Sequence, residues 1–287
     1  MSQNISAILK RAAQQFVAVT DAPQLEAEIL LAHVLKVTRV YLHTWPEKQL
    51  EPAQQIAMQD LVARRLQGEP IAYLTGHREF WSLDLVVTAD VLIPRSDTER
   101  LVELVLEHVQ AERAVIADLG TGSGAIALAL AKERPNWTIY ATDASVAALE
   151  IAQLNAQQLP LSNVIFCHGD WCEPLPKVHF DAIVSNPPYI AEDDPHLLQG
   201  DLRFEPRSAL VAHDAGFQDL AQIISDAKSY LKLGGLLFLE HGYQQAVQVL
   251  SFLEKERYTH TNVYQDLAGL DRVTIASWLG FDIDYNT

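Results

Sequence analysis

Four short stretches hold residue types that suit chemistry, and each falls where a strand gives way to a loop. Asp118-Leu119-Gly120-Thr121-Gly122-Ser123-Gly124 is a glycine-rich turn between an apolar run and a helical pattern. Glycines there let the backbone bend tightly and let a ligand approach it closely. The spacing is G-x-G-x-G, unlike the G-x-G-x-x-G of dinucleotide binders, and no Lys-Ser/Thr pair follows to make a phosphate loop. Asp143 ends the next apolar run, where a carboxylate can accept hydrogen bonds from both ribose hydroxyls of a nucleoside; its blander role is an acid near a helix N-terminus. Asp170-Trp171 ends the third run, and suits an adenine amino group and an adenine face, or simply a partly buried Trp at a turn. The fourth, Asn186-Pro187-Pro188-Tyr189, closes the run Ala182-Ile183-Val184-Ser185. Two prolines lack N–H groups and cannot continue a central strand, so the chain must leave the sheet there with a stiff, polar loop.

Those four positions need a sheet to hold them. AVIADLG, TIYATD, NVIFCHGDW, FDAIVSNPPY and GGLLFLEHG read as strands, separated by the helices AIALALAKE, SVAALEIAQLNAQQL and FQDLAQIISDAKSYLK. QQAVQVLSFLEKE is a further helix, followed by the strands TNVYQDL and RVTIASWL with no helix between them. Alternating strands and helices predict an α/β fold with a mostly parallel sheet covered on both faces, here seven-stranded and closed by a terminal antiparallel hairpin. Ligands of such sheets bind outside the carboxyl ends of the strands, where all four stretches lie.

The first part of the chain differs in texture. Thr20 or Asp21 is placed to cap a helix carrying Leu25, Ile29, Leu30 and Val34, and a second periodic run holds Ile56, Leu61, Val62 and Leu66 before Gly68 and Pro70. Phe80 to Val87 reads as a strand or hairpin, and Ser96-Asp97-Thr98-Glu99 matches a capping box before the apolar stripe Leu101, Val102, Leu104 and Val105. The expected organisation is a helical domain over 1–76, a β-hairpin linker over 77–92 and an α/β domain over 93–287.

Composition narrows the function classes. Of 287 residues, 49% are hydrophobic and 20% charged, as in ordinary globular proteins. No apolar stretch is long enough for a membrane span, and MSQNISAILKRAAQQF lacks the apolar core of a secretory signal. Cys167 and Cys172 have no partner pairs that would suggest zinc, and are expected to be reduced thiols of a cytoplasmic protein. The ten histidines show no HExxH or similar ligand spacing, so no metal is expected. A net charge of −16 repels phosphate backbones and disfavours a general nucleic-acid-coating role.

The order of the four stretches resembles the S-adenosylmethionine-dependent methyltransferases of the Rossmann-like class, in which an Asn/Asp/Ser-Pro-Pro-aromatic tetrad marks methylation of a planar nitrogen. That chemistry has a physical logic. An amide or aryl amine nitrogen shares its lone pair with a π-system and is a weak nucleophile. The Asn186 side-chain oxygen and the Pro187 carbonyl can take both of its hydrogens, fixing the nitrogen and aiming its lone pair. Pro187 and Pro188 hold φ, so little ordering accompanies binding. Tyr189 can stack on the planar group.

The resemblance extends along nearly the whole chain. GEPIAYLTGHREFWSLDL (68–85), IPRSDTERLVE (93–103), DLGTGSGAIALALA (118–131), SNPPYI (185–190), RFEPRSALVA (203–212), GGLLFLEHG (234–242) and DRVTIA (271–276) are similar to the peptide chain release factor glutamine methyltransferases, the HemK/PrmC family. The resemblance implies methyl transfer from S-adenosylmethionine, yielding S-adenosylhomocysteine, to the amide nitrogen N5 of the glutamine in the Gly-Gly-Gln motif of bacterial class 1 release factors. It implies that Gly120, Thr121, Gly122, Ser123, Gly124, Asp143, Asp170, Trp171 and Asn186 bind the cofactor, that Asn186, Pro187, Pro188 and Tyr189 hold the glutamine, and that Arg95 and Thr98 lie near the cofactor. The helical domain would recognise the release factor, and a monomer without nucleic acid or membrane partners is expected. Two departures stand out: Ser96 occupies a place where the family usually has Pro, and Leu267 and Leu270 replace a Tyr and a polar residue. His241, Phe80, Trp81 and Phe204 are expected to be structural. An amino-methyltransferase acting on adenine or cytosine in DNA or RNA shares the tetrad, but needs a basic track and base-flipping elements that the sequence does not offer. A non-catalytic S-adenosylmethionine-binding scaffold would have no need of the tetrad.

Overall fold

A computed structural model describes residues 4–280. They form two compact units: residues 4–77 together with His196–Phe204, and Arg78–Pro195 together with residues 205–280.

The first unit is helical. Its elements are α1 (Ile5–Phe16), α2 (Pro23–Leu35), α3 (Arg39–Thr44), α4 (Pro52–Leu66) and α5 (Ile71–Thr75). Asn4 caps α1 by accepting from Ala7 N at 2.9 Å, and Ile5, Leu9, Ala12 and Phe16 bury one face. Helix α2 departs from the cap expected at Thr20 or Asp21. It starts at Pro23 after Ala22, with no side-chain cap, because proline at the first position removes one of the N–H groups that a cap would serve. Thr20 Oγ1 instead accepts from Ala22 N at 3.2 Å, outside the helix. On α4 the core face is Met58, Leu61 and Arg65, while Ile56 is 67% exposed. Arg65 is buried and pairs its guanidinium with both oxygens of Glu26, at 2.7 and 3.1 Å. The same guanidinium lies 3.8 Å from Asp201 in the returning segment.

The second unit opens with the hairpin β1 (His77–Phe80) and β2 (Leu83–Val86), then α6 (Glu99–His108). The capping box expected at Ser96–Glu99 does not form. Ser96–Thr98 make a 3-10 turn and the helix begins only at Glu99, whose carboxylate is turned to Trp81 N, accepting at 2.8 Å through Oε1. The α/β part follows as β3 (Val115–Leu119), α7 (Ala125–Glu133), β4 (Thr138–Asp143), α8 (Val146–Gln158), β5 (Val164–His168), β6 (Phe180–Ser185), the short strands β7 (Ile190–Ala191) and β8 (Val211–Ala212), the turn α9 (His213–Gly216), α10 (Gln218–Ala227), β9 (Leu231–Glu240), α11 (Ala246–Lys255), β10 (Thr259–Gln265) and β11 (Asp271–Trp278). Helix α10 stops at Ala227, so Leu231 and Lys232 belong to strand β9 rather than to the helix expected there. They enter beside Phe180 through a register shift, with Gly234 at φ +80°.

The seven-stranded sheet has the order β10-β11-β9-β6-β3-β4-β5. Strands β9, β6, β3, β4 and β5 run parallel, and β11 is antiparallel to both β9 and β10. The terminal hairpin is therefore present, with its second strand next to the parallel core. One face packs α7 and α6 residues such as Leu104, Leu128 and Leu130 against Ile116, Val184 and Phe238. The other packs α10 and α11 residues such as Ile223 and Val249 against Ile183, Leu237 and Leu239. The chain winds outwards from β3 in both directions, so the crevice between the carboxyl ends of β3 and β6 is a topological switch point.

Candidate active site

A cleft of about 500 Å³ opens at that switch point, lined by Gly120, Gly122, Asp143, Asp170, Trp171, Asn186 and Pro188 among others. Its size lies in the range of small-molecule sites. Leu92, Pro206, Ser208 and Ala209 also line it.

The floor is the turn after β3. Gly120, Gly122 and Gly124 all have positive φ, at +71°, +57° and +85°, a region that side chains disfavour. A Cβ on Gly122 would meet nothing within 4 Å, whereas one on Gly120 would sit 3.0 Å from Trp171 Cζ3. The indole therefore lies on the glycine backbone, with Trp171 at φ +40° and its carbonyl accepting from Thr142 Oγ1 at 2.9 Å. Below the turn, Asp118 is fully buried. Its Oδ2 accepts from Thr121 Oγ1 at 2.6 Å and from Ala127 N at 3.2 Å, and its Oδ1 has no partner within the protein. Burial pushes this carboxyl up to about 7.

Asp143 closes the turn from β4. Its Oδ2 accepts from Gly122 N and its Oδ1 from Ser145 N, both at 2.8 Å, which leaves each oxygen with spare acceptor capacity. Burial raises its pKa, and those two backbone bonds oppose the rise. Ser123 and Gly124 are buried; the Ser123 carbonyl accepts from Asn155 Nδ2 at 2.9 Å. Asp170 is exposed at the rim.

The opposite wall is the loop after β6. Asn186 donates from Nδ2 to Thr98 Oγ1 at 3.1 Å, and its Oδ1 is buried without a partner. Pro188 lines the cleft, whereas Pro187 is buried and Tyr189 is half-buried, neither lining it. The Tyr189 carbonyl accepts from Gln245 Nε2 at 3.1 Å, and burial pushes its phenol up to about 12. Thr98 and Arg95 do not line the cleft either; Thr98 is engaged by Asn186, and Arg95 pairs with the buried Glu205. Glu205 also accepts from Ile93 N at 3.0 Å, tying together two segments that flank the cleft.

Three contributors were absent from the sequence reading. Glu240 ends β9, is 1% exposed, and its Oε2 has no partner within the protein; burial pushes it up to about 7 against the pull of Thr98, Arg272 and Asn186. Asn155 links α8 to the glycine turn, and Asp219 lines the cleft. The signal for Glu240 was available: it closes an apolar strand as Asp118 does, although only the fold shows that this strand lies beside β6. His241 makes structural contacts, with Nε2 2.8 Å from Thr274 Oγ1 and Nδ1 3.0 Å from the Gly242 carbonyl. Leu267 is fully exposed in the β10–β11 turn.

Comparison with known proteins adds ancestry. Residues 7–76 match the model of the PrmC N-terminal domain, and residues 97–200 that of the methyltransferase small domain. The chain is 51% identical to the release factor glutamine methyltransferase of Coxiella burnetii, over 95% of this chain and 98% of that one. It is 48% identical to that of Aliivibrio fischeri, over 97% and 99%. Among solved structures, a methyltransferase from Pyrococcus furiosus superposes with a TM-score of 0.54 at 19% identity, over 78% of this chain and 100% of that one, a likeness of fold.

Proposed function

This chain belongs to the release factor glutamine methyltransferases, and we propose that it transfers a methyl group from S-adenosylmethionine to the side-chain amide nitrogen N5 of the glutamine in the Gly-Gly-Gln motif of bacterial class 1 release factors. The observation that carries this reading beyond family membership is Asn186 Oδ1, a buried acceptor without a donor on the wall of the cleft. Such an atom costs about 1–3 kcal/mol while unpaired, a cost that an incoming N–H relieves.

The residues present fit the cofactor. Gly120 to Gly124 offer a turn with room at Gly122 for close approach, Asp143 retains acceptor capacity that suits ribose hydroxyls, and Asp170 and Trp171, which line the cleft, offer an acid and an aromatic ring that suit an adenine. When bound, S-adenosylmethionine supplies a methyl group on a sulfonium, an electrophile that needs no metal.

The chain's own part is to hold the acceptor. Asn186 Oδ1 and the Pro187 carbonyl take the two hydrogens of the glutamine amide, turning its lone pair away from them. Proline at 187 and 188 keeps the loop from reorganising as substrate enters. Positive charge grows on the nitrogen as the bond forms, and both acceptors stabilise it. No strong base is needed beforehand, because the nitrogen becomes acidic only once it carries the methyl.

The helical unit is assigned to recognition of the release factor outside its glutamine loop, with the enzyme acting in the cytoplasm where its substrate works. A net charge of −16 suits a basic protein partner and weighs against a nucleic-acid substrate. Among the described residues, no helix is long and apolar enough to cross a membrane.

The test is a methyl-transfer assay with purified release factor, mapped by mass spectrometry. A gain of one methylene mass on the Gly-Gly-Gln peptide is expected. No gain there, or transfer to DNA or RNA instead, overturns the reading.

A further inference from the structure

Asn186 does not fix its own orientation. An amide presents oxygen on one side and two N–H groups on the other, and a half-turn about its last bond exchanges them at almost no steric cost. We infer that Glu240 is the positioning residue that selects between these two states, holding the Asn186 N–H groups on its own side so that Oδ1 is left for the substrate. The inference rests on the proposed role of Asn186 as an acceptor for the glutamine amide.

The strands set up the contact. Ser185 and Leu239 are in register on adjacent parallel strands, so the next residues along lie side by side, Asn186 just past the end of β6 and Glu240 as the last residue of β9. Asn186 Nδ2 donates to Thr98 Oγ1 at 3.1 Å, and both side chains act on the Glu240 carboxyl as hydrogen-bonding neighbours that hold its pKa down, while Glu240 Oε2 is buried without a partner within the protein. The direction of these bonds is forced. A hydroxyl that accepts from Asn186 has its single hydrogen free to donate, and an ionised carboxylate can only accept. Hydrogens therefore point from Asn186 to Thr98, and from both towards Glu240. Rotating the amide would turn Oδ1 towards a carboxylate and towards a hydroxyl whose hydrogen is already committed. Acceptor would face acceptor in a buried site, where such repulsion is strong.

Protonation removes the selection. A carboxylic acid can donate to Oδ1, and both amide orientations then become acceptable. The charged and titratable groups around Glu240 are Arg272 on β11, itself paired with Asp266, Asp97 in the 3-10 turn, and Tyr189 in the loop after β6; Arg95 faces Tyr189. Burial is the largest influence on the carboxyl and Arg272 opposes it, which brings its ionisation to about 7. The device is thus complete only on the alkaline side of that value.

The experiment compares the full-length enzyme with E240Q, whose amide can donate or accept and so accommodates either state of Asn186. S-Adenosylmethionine affinity, measured by calorimetry, is expected to stay within about threefold. The kcat for release-factor methylation is expected to fall roughly 10²-fold, the scale of a misplaced reacting group. Wild-type kcat is expected to fall as pH drops through the Glu240 ionisation, and E240Q to lack that limb. A wild-type kcat in E240Q, or the same limb in its pH profile, overturns the inference. The side-chain amide resonances of Asn186 in ¹⁵N-labelled wild-type protein give a readout that needs neither turnover nor a variant. They are expected to shift with the ionisation of Glu240, and their pH-independence between 5 and 9 overturns the inference. If the wild-type protein methylates no release factor while those resonances titrate, the substrate assignment fails and the positioning device stands.

Discussion

Asn155 pairs with Val86 as a neighbouring strand would: its Oδ1 accepts from Val86 N at 2.7 Å, and its Nδ2 donates to the Val86 carbonyl at 3.0 Å. The same Nδ2 donates to the Ser123 carbonyl at 2.9 Å, so one buried amide fastens hairpin strand β2 and the glycine turn to α8. Asn155→Ala would leave three backbone groups without partners. It is expected to lower stability by about 3 kcal/mol in urea unfolding and to weaken S-adenosylmethionine binding by slackening the turn. Unchanged stability would show that those backbone groups find other partners.

Gly120→Ala combines two penalties. The left-handed φ of +71° costs a side chain about 1–2 kcal/mol, and the new Cβ at 3.0 Å would push the Trp171 ring away. Cofactor affinity is expected to fall at least about tenfold, since tenfold needs only about 1.4 kcal/mol. Calorimetric titration checks this, and wild-type affinity in G120A would remove Trp171 from the cofactor site.

Asn186→Ala deletes the side-chain acceptor while leaving the Pro187 carbonyl. Transfer to release factor is expected to fall about 10²–10³-fold, comparable to the loss of one preorganised polar group in other active sites. The glycine turn and Trp171 remain, so cofactor affinity is expected to change by less than kcat does. Full transfer by N186A in single-turnover assays would show that the side-chain acceptor is dispensable.

Two buried carboxyls make stability depend on pH in an unusual direction. Burial raises both Asp118 and Glu240 to about 7 in the folded protein, against 3.8 and 4.5 for free side chains. Between those limits the folded state binds protons that the unfolded chain releases, so stability falls as pH rises towards 7. For Glu240 the effect is on the order of 3 kcal/mol. The lowered carboxyls, Glu28 and Asp266, act in the opposite sense and at lower pH, below their ordinary values. E240Q is therefore expected to gain stability relative to wild type between pH 5 and pH 8. A difference in urea midpoint that is the same at both values would contradict this.

Much of the arrangement was legible in the chain because strand ends are written locally. A short apolar run followed by Gly, by Asp or by Asn-Pro-Pro announces both the strand and its exit, and the five parallel strands of the large sheet lie where such runs occur, whereas β10, THTNVYQ, is largely polar and exposed. The helical unit was less legible. Ile56 and Leu25 fit an apolar period yet are exposed, while Arg65 takes a core position that periodicity assigns to hydrophobes, since its partner Glu26 comes from another helix. The contributions of Asn155 and Glu240 were hidden for the same reason. A polar residue in a helix or at a strand end reads as solvated until the fold brings Val86, Ser123, Thr98 or Asn186 to it from 32 to 142 residues away. The box at Ser96–Glu99 erred in the other direction, because a local pattern lost its glutamate to the backbone of a hairpin.

The allocation of His196–Phe204 to the helical unit makes the chain's two halves inseparable by a single cut. The backbone passes between them at three peptide bonds, after His77, after Pro195 and after Phe204. Trimming everything before residue 78 would strip Asp201 of Arg65 and remove the Gly68 backbone beside which the Arg203 guanidinium packs. A shortened enzyme of that kind would thus carry an orphaned segment shortly after its Asn-Pro-Pro-Tyr loop, and its inactivity would report damage there as readily as loss of partner recognition. Surface substitutions on α1 to α5 in the intact chain are the cleaner dissection.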